Sequence, residues 1–308
     1  MKLFSFVFFT LVAAYMLKAC AMQTPSLEKL TNHNWNSGAR FCFFNSDPAI
    51  ETYQYDEGTY LLRQNKCSHY EAPFIYVLFG EHSVLIQDTG AIKSEAEFPL
   101  YNHVLDIIKK VAHSKGKDVN NYSIIVSHSH SHSDHTAADL QFSGKPNVTL
   151  IKPSLSAVKD YFGYSKQALQ WPIDRSYLEL GNRKLTIVPL PGHQTEAIAV
   201  YDPQTQWLLT GDSLYPGRLY VKNWQTYSAS IERLTGFVNT INVSAIMGTH
   251  IEMSKEAGDD YPMGSTYQPD EAALPLPKSQ LILLNKLLSE QKSPKLITTD
   301  KFIIYPLK

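Results

Sequence analysis

The segment Ser127-His128-Ser129-His130-Ser131-His132-Ser133-Asp134-His135 decides how this chain is read. It follows Ser123-Ile124-Ile125-Val126, a short apolar run with the length of a buried strand. Alternate residues of an extended segment point the same way. His130 and His132 can therefore reach one metal ion together. Asp134 and His135 fall at the turn into a following helix, where they can face a second ion beside the first. Imidazole and carboxylate are the ligands that zinc takes. Taken alone, a His-Ser-His-Ser-His tract also suits a non-enzymatic zinc-scavenging loop in an exported protein.

The downstream sequence chooses between these readings. Pro191-Gly192-His193 follows a strand-like run at Lys184–Leu190, Thr210-Gly211-Asp212 one at Trp207, and Gly248-Thr249-His250 one at Val243–Met247. Each puts a His or Asp just past a strand and near a glycine. Three independent repeats of strand, small residue and ligand are far more specific than one histidine. Further strands are expected at Phe74–Phe79, Ser83–Gln87, Val148–Ile151, Ala197–Tyr201 and Phe302–Tyr305. Helices are expected from Leu100 to before Gly116, from Ser133 through Leu140, around Ile231–Val238, and around Leu281–Leu288. The stretch from Met22 to about Gly58 reads as irregular, and Gly258–Pro277 as a long Pro-, Gly- and Tyr-rich loop.

With these residues in order, the chain resembles the metallo-β-lactamase superfamily. The resemblance rests on Asp88 in Gln87-Asp88-Thr89-Gly90, the His130–His135 motif, His193, Asp212 and His250, and covers about residues 70–252. It implies an α/β fold, a four-layer αβ/βα sandwich with two mixed β-sheets and the metals at one edge. It implies that His130, His132 and His193 hold the first of two zinc ions, with iron or manganese as alternative metals. Asp134, His135 and His250 would hold the second, Asp212 would bridge, and Asp88 would orient ligands. His128 is an extra histidine, expected as a neighbour in the mouth of the site. Tyr215 and Arg218, just beyond Asp212, are read either as an ordinary turn or as substrate contacts, with Arg218 binding a carboxylate.

The implied chemistry is hydrolysis, with Asp134 and Asp212 as the catalytic carboxylates and a metal-bound hydroxide attacking a thioester, ester, lactone or lactam carbonyl. Two dications, two carboxylates and a hydroxide sum to about +1, which favours a small anionic substrate. A cysteine-free zinc β-lactamase, suggested by Asp212-Ser213-Leu214-Tyr215-Pro216-Gly217, is the first alternative. An iron site like that of persulfide dioxygenases is another.

Bulk properties narrow partners. A net charge of −1 with no basic run gives no electrostatic case for nucleic acid. Lys2 followed by the apolar run Leu3–Leu17 and Ala19-Cys20-Ala21 has the layout of a secretory leader. Cleavage after Ala21, lipidation at Cys20 and an uncleaved anchor helix are the competing outcomes. The apolar run is short for a membrane span, so the expected location is the periplasm or outside the cell, with residues 22–308 as one domain whose C-terminal loop, helix and strand cover 253–308. Cys42 and Cys67 then remain, either as a disulfide or as two independent thiols.

Overall fold

The computed structural model describes residues 24–166 and 168–307. The chain divides into residues 1–34 and 35–308. The first unit carries the helix α1 (Thr24–Thr31); the leader expected at 1–21 lies outside the described residues. The second unit carries the sheets and the site.

Its first sheet has the order β1 (Ile50–Asp56), β2 (Thr59–Gln64), β3 (Phe74–Phe79), β4 (Ser83–Gln87), β5 (Ser123–Ser127) and β6 (Val148–Leu150). β1 to β4 run antiparallel; β4, β5 and β6 run parallel. The remaining strands along the chain are β7 (Ser176–Glu179), β8 (Lys184–Pro189), β9 (Ile198–Asp202), β10 (Trp207–Gly211), β11 (Arg218–Val221), β12 (Ala245–Gly248), β13 (Pro275–Leu276), β14 (Ile297–Thr298) and β15 (Ile303–Pro306). The second sheet is ordered β13-β12-β10-β9-β8-β7, and β11-β15-β14 form a small third.

Helix α2 (Leu100–Ser114) lays Leu100, Val104, Ile108 and Val111 over Leu62, Val77, Ile86 and Val126 of the first sheet. Helices α6 (Trp224–Val238) and α7 (Lys278–Ser289) lay Ile231, Leu234, Leu281 and Leu284 over Val188, Leu208 and Ile246 of the second. The alternate strand residues, Leu61, Leu78 and Leu85 in one sheet and Leu185, Ile187 and Leu209 in the other, are buried too. Sheets buried on both faces need a layer on each side. The result is helix, sheet, sheet, helix.

Strand direction positions the site. β4 and β5 run parallel with Gln87 beside Ser127, so Asp88 and His128 emerge at one edge. β8 and β10 are both antiparallel to β9 and therefore point the same way, and β12 runs parallel to β10. The segments after β8, β10 and β12 thus leave one edge of the second sheet. At the opposite end, Arg183 joins the two sheets. Its guanidinium donates to Asp202 Oδ1 (3.1 Å) and Oδ2 (2.6 Å), to the Gly58 (2.8 Å) and Phe79 (3.1 Å) carbonyls, and to Thr59 Oγ1 (2.9 Å).

Sequence and structure differ in places. β1 and β2 lie in or beside the stretch expected to be irregular. β1 is an edge strand that buries only its first residue, and β2 carries the buried polar Thr59, Arg63 and Gln64. Neither shows an apolar pattern. The helix expected from Ser133 through Leu140 is two single turns, α3 (Ser133–Thr136) and α4 (Asp139–Phe142). The Ala137 N–H donates to the Gly90 carbonyl (3.0 Å) instead of within a helix, which breaks the run. One further helix, α5 (Leu155–Tyr161), is capped by the Ser154 hydroxyl, which accepts the Ala157 N–H. The 258–277 segment is tied down by backbone bridges from Tyr267 to Gly38 and from Glu271 to Ser254. Glu271 also pairs with the buried Arg63 (2.6 Å) and Lys66 (3.0 Å). Burial pulls the Lys66 ammonium down to about 8, with the Arg63 charge adding to it and Glu271 opposing. Cys42 and Cys67 form a disulfide across a sequence separation of 25. Among the described residues no helix is long and apolar enough to cross a membrane.

Two stability predictions follow from these contacts. Burial alone raises the Asp202 carboxyl, but Arg183 and Thr205 overcome it and hold it below the usual range. Its stabilisation is therefore full above about pH 4 and is lost as pH falls through its folded value. Asp202→Ala should cost about 3–5 kcal/mol at neutral pH in urea unfolding, because it strands a buried cation, and the loss should shrink in acid. Replacing both Cys42 and Cys67 by serine should cost about 3 kcal/mol by the same measurement.

Candidate metal centre

Each ligand candidate leaves a strand end through a tight local turn. Gly192 (φ +142°) precedes His193. A Cβ there would lie 2.4 Å from Tyr227 Cα, so only glycine lets α6 pack against this turn. Gly211 (φ +53°) precedes Asp212, and a Cβ there would lie 2.6 Å from Ser129 Cβ. Both glycines allow separate chain segments to approach closely enough for their ligands to converge.

Two donor sets result: His130, His132, His193 and Asp212, and Asp134, His135, Asp212 and His250, the atoms within each set lying within 4.8 Å of one another. In the first, His130 Nε2, His132 Nδ1 and His193 Nε2 lie 3.0 to 3.2 Å apart. In the second, Asp134 Oδ2 is 2.9 Å from His135 Nε2 and 3.2 Å from His250 Nε2. Asp212 divides its carboxylate between them. Oδ2 is 3.8 Å from His130 and 3.7 Å from His193, whereas Oδ1 is 3.5 Å from His135 and 3.4 Å from His250. The Thr249 hydroxyl donates to Oδ1 and fixes that orientation.

The second nitrogen of most rings is already committed. His193 Nδ1–H donates to the Tyr220 carbonyl (2.7 Å), His250 Nδ1–H to the Glu71 carbonyl (3.0 Å) and His135 Nδ1–H to Asp88 Oδ2 (3.1 Å). Carbonyl and carboxylate oxygens only accept, so each of these rings carries a proton on Nδ1 and presents Nε2 inward. Gln194 lies against His132 Nε2. Asp88, buried at φ +73°, accepts the Ser129 N–H (2.6 Å) on its other oxygen and so holds both the ligand loop and His135.

Converging lone pairs on buried groups are the signature of a cation site. Burial pushes the His130 and His132 imidazolium forms down, as neighbouring imidazoles also do. Burial acts the same way on His135 and His250, but the carboxylates win. Asp134 and Asp212 lift His135 well above its ordinary value, and Asp212 and Asp134 lift His250 to about 9. Burial by itself raises Asp134 and Asp212; the surrounding imidazoles overcome it and hold both carboxylates ionised. The donor set, two carboxylates and five imidazoles whose inward nitrogens converge, fits two borderline-soft dications, which would take the place of the protons that the carboxylates favour on His135 and His250.

Three residues sit differently from their sequence reading. His128 is not at the mouth: it is buried and its Nε2 meets Asp139 Oδ1 at 2.8 Å, outside both donor sets. Arg218 is not a free carboxylate binder: its guanidinium is paired with Glu252 (3.3 Å) and Asp260 (2.5 Å). Tyr215 is buried, its hydroxyl donates to the Arg218 carbonyl, and its ring packs edge-on against His250 at 5.6 Å. The expectation of an anionic substrate therefore loses its named cation. The sequence reading also missed Glu71, Gln194, Glu196 and Thr249. Gln194, Glu196 and Thr249 lie within three residues of a ligand, the one signal that could have flagged them.

Residues 71–250 match the profile of the metallo-beta-lactamase superfamily. The chain belongs to that superfamily. The acyl-coenzyme A thioesterase MBLAC2 of Gallus gallus is 30% identical over 80 residues, 25% of this chain and 29% of that protein. Its Homo sapiens counterpart is 34% identical over 67 residues, 22% of each chain. The match thus spans less than a third of these relatives. A metallo-beta-lactamase from Pontibacter korlensis superposes with a TM-score of 0.48 at 16% identity, over 79% of this chain and all of that one.

A superfamily member with this donor set should be stabilised by its ions. Zinc at a hundred times its Kd should raise stability by about 2.7 kcal/mol per independent site, seen as a higher Tm that a chelator reverses. An unchanged Tm would show that the cluster holds no ion.

Proposed function

We propose that this protein is an exported binuclear zinc hydrolase that cleaves an acyl bond, with a thioester as the first substrate to test. The observation that carries the binuclear reading is Asp212, whose two oxygens face different imidazole sets. The thioester reading rests on the short matches to the acyl-coenzyme A thioesterases. Export is supported by the Cys42–Cys67 disulfide, a bond of oxidising compartments, and by the composition of residues 1–21.

His130, His132, His193 and Asp212 would hold one ion and Asp134, His135, His250 and Asp212 the other. When bound, such ions supply Lewis-acid polarisation of a carbonyl and lower the pKa of water to roughly 7. The chain's own groups do the rest. Asp134 Oδ2 faces His135 and His250, which leaves Oδ1 to accept a proton from the attacking water. Of the two catalytic carboxylates Asp134 is the more exposed, so its free oxygen is the one that water reaches more readily. Asp212 is held by Thr249 and orients both sets at once. Beyond the second set, Tyr70, Glu71, Glu252 and Met263 line a small pocket. It shares Tyr261, Pro262 and Gly264 with a cleft of about 860 Å³ whose lining includes none of the donor residues.

Metal analysis should give two zinc ions per chain; one iron would overturn the reading. In a panel of an acyl-coenzyme A or acyl-glutathione thioester, a homoserine lactone, nitrocefin and a phosphodiester, the thioester should turn over fastest. Asp134→Ala should lower kcat by about 10²-fold or more. Preference for nitrocefin would reassign the protein as a β-lactamase.

A further inference from the structure

We infer that Glu196 is a positioning residue for the first donor set. Its carboxylate locks the His130–His132 loop to the segment that carries His193. This rests on the metal-binding reading above.

The first set draws its imidazoles from two separate segments. His130 and His132 sit on the loop after β5, and His193 sits on the turn after β8. Three ligating atoms must stay within about 3 Å of one another, so these segments need cross-ties. The structure supplies them just beyond His193. The Ile198 N–H donates to the Ser129 carbonyl (2.9 Å), before His130. Glu196 Oε1 accepts the Ser131 N–H (3.0 Å), from the residue between the two histidines. Glu196 Oε2 accepts the Thr195 hydroxyl (2.9 Å), which sets the plane of the carboxylate.

Two features separate this contact from ordinary loop packing. Glu196 is only 6% exposed, yet none of the ion pairs among the described residues involves it. A buried carboxylate without a cation is costly. Burial alone would raise it, and the hydrogen bonds from Ser131 and Thr195 instead keep it ionised. Moreover, Ser131 is the one residue through which a single hydrogen bond can fix the spacing of His130 and His132 together. Residues that orient ligands without touching the ion typically contribute 10–100-fold in affinity.

The test uses the full chain, zinc and cobalt(II), and a competing chromogenic chelator. Wild type is titrated first: if it binds neither ion, the metal reading fails and Glu196 is not at issue. Glu196→Ala should weaken the first-set ion 10–100-fold and change its cobalt(II) visible bands, while the second ion binds as in wild type. Glu196→Gln keeps an oxygen to accept the Ser131 N–H and should recover most of that affinity. The inference is overturned if Glu196→Ala binds both ions like wild type, or if it loses both alike with a lower metal-free Tm. A Gln variant as weak as Ala also overturns it, because charge rather than position would then be the cause.

Discussion

Asp212 can face two sets of imidazoles only if three strands of one sheet and two of the other end within a few ångströms of each other. That constraint governs much of the molecule. It requires β8, β10 and β12 to point the same way, with the antiparallel β9 between β8 and β10. It also requires Gly192 and Gly211, because side chains there would hold Tyr227 and Ser129 away. The cost is a dense knot of imidazoles and carboxylates removed from water. Their mutual effects run in opposite directions: His130 and His132 are driven neutral while His135 and His250 are drawn toward the charged form.

Around this knot lies a ring of groups that hold the ligands, or the loop that carries them, but are not ligands. Asp88 holds His135 and the Ser129 amide, Thr249 holds Asp212, and Glu196 holds the Ser131 amide. The carbonyls of Tyr220 and Glu71 fix two further rings. Each removes one rotational choice from a ligand side chain or loop. Rotamer freedom is given up once, on folding, rather than at each binding event.

The metal-binding face was legible in the sequence because its signals are local. A strand ends, a small residue follows, and a ligand comes next; that order survives without knowledge of the fold. The β1–β2 hairpin was not legible, since β2 buries Arg63 and Gln64 against partners distant in the chain, and such partners leave no periodicity. Arg218 misled for the same reason. Its carboxylates, Glu252 and Asp260, lie more than thirty residues away, so a cation that looked free for substrate is already satisfied. His128 looked like part of a repeat, but Asp139 draws it inward, and that pairing depends on the break between α3 and α4.

Arg183 gives the molecule a mechanical asymmetry. It sits at the start of β8, about 20 Å along that strand from the end that leads to His193, and clasps both sheets there. The two sheets are therefore joined at both ends, by Arg183 at one and, at the other, by the Phe74 N–H to the Thr249 carbonyl (2.8 Å) and the Ile198 N–H to the Ser129 carbonyl (2.9 Å). The arginine end of the sandwich is thus closed by protein groups alone, whereas the other end gathers the donors that an ion would join.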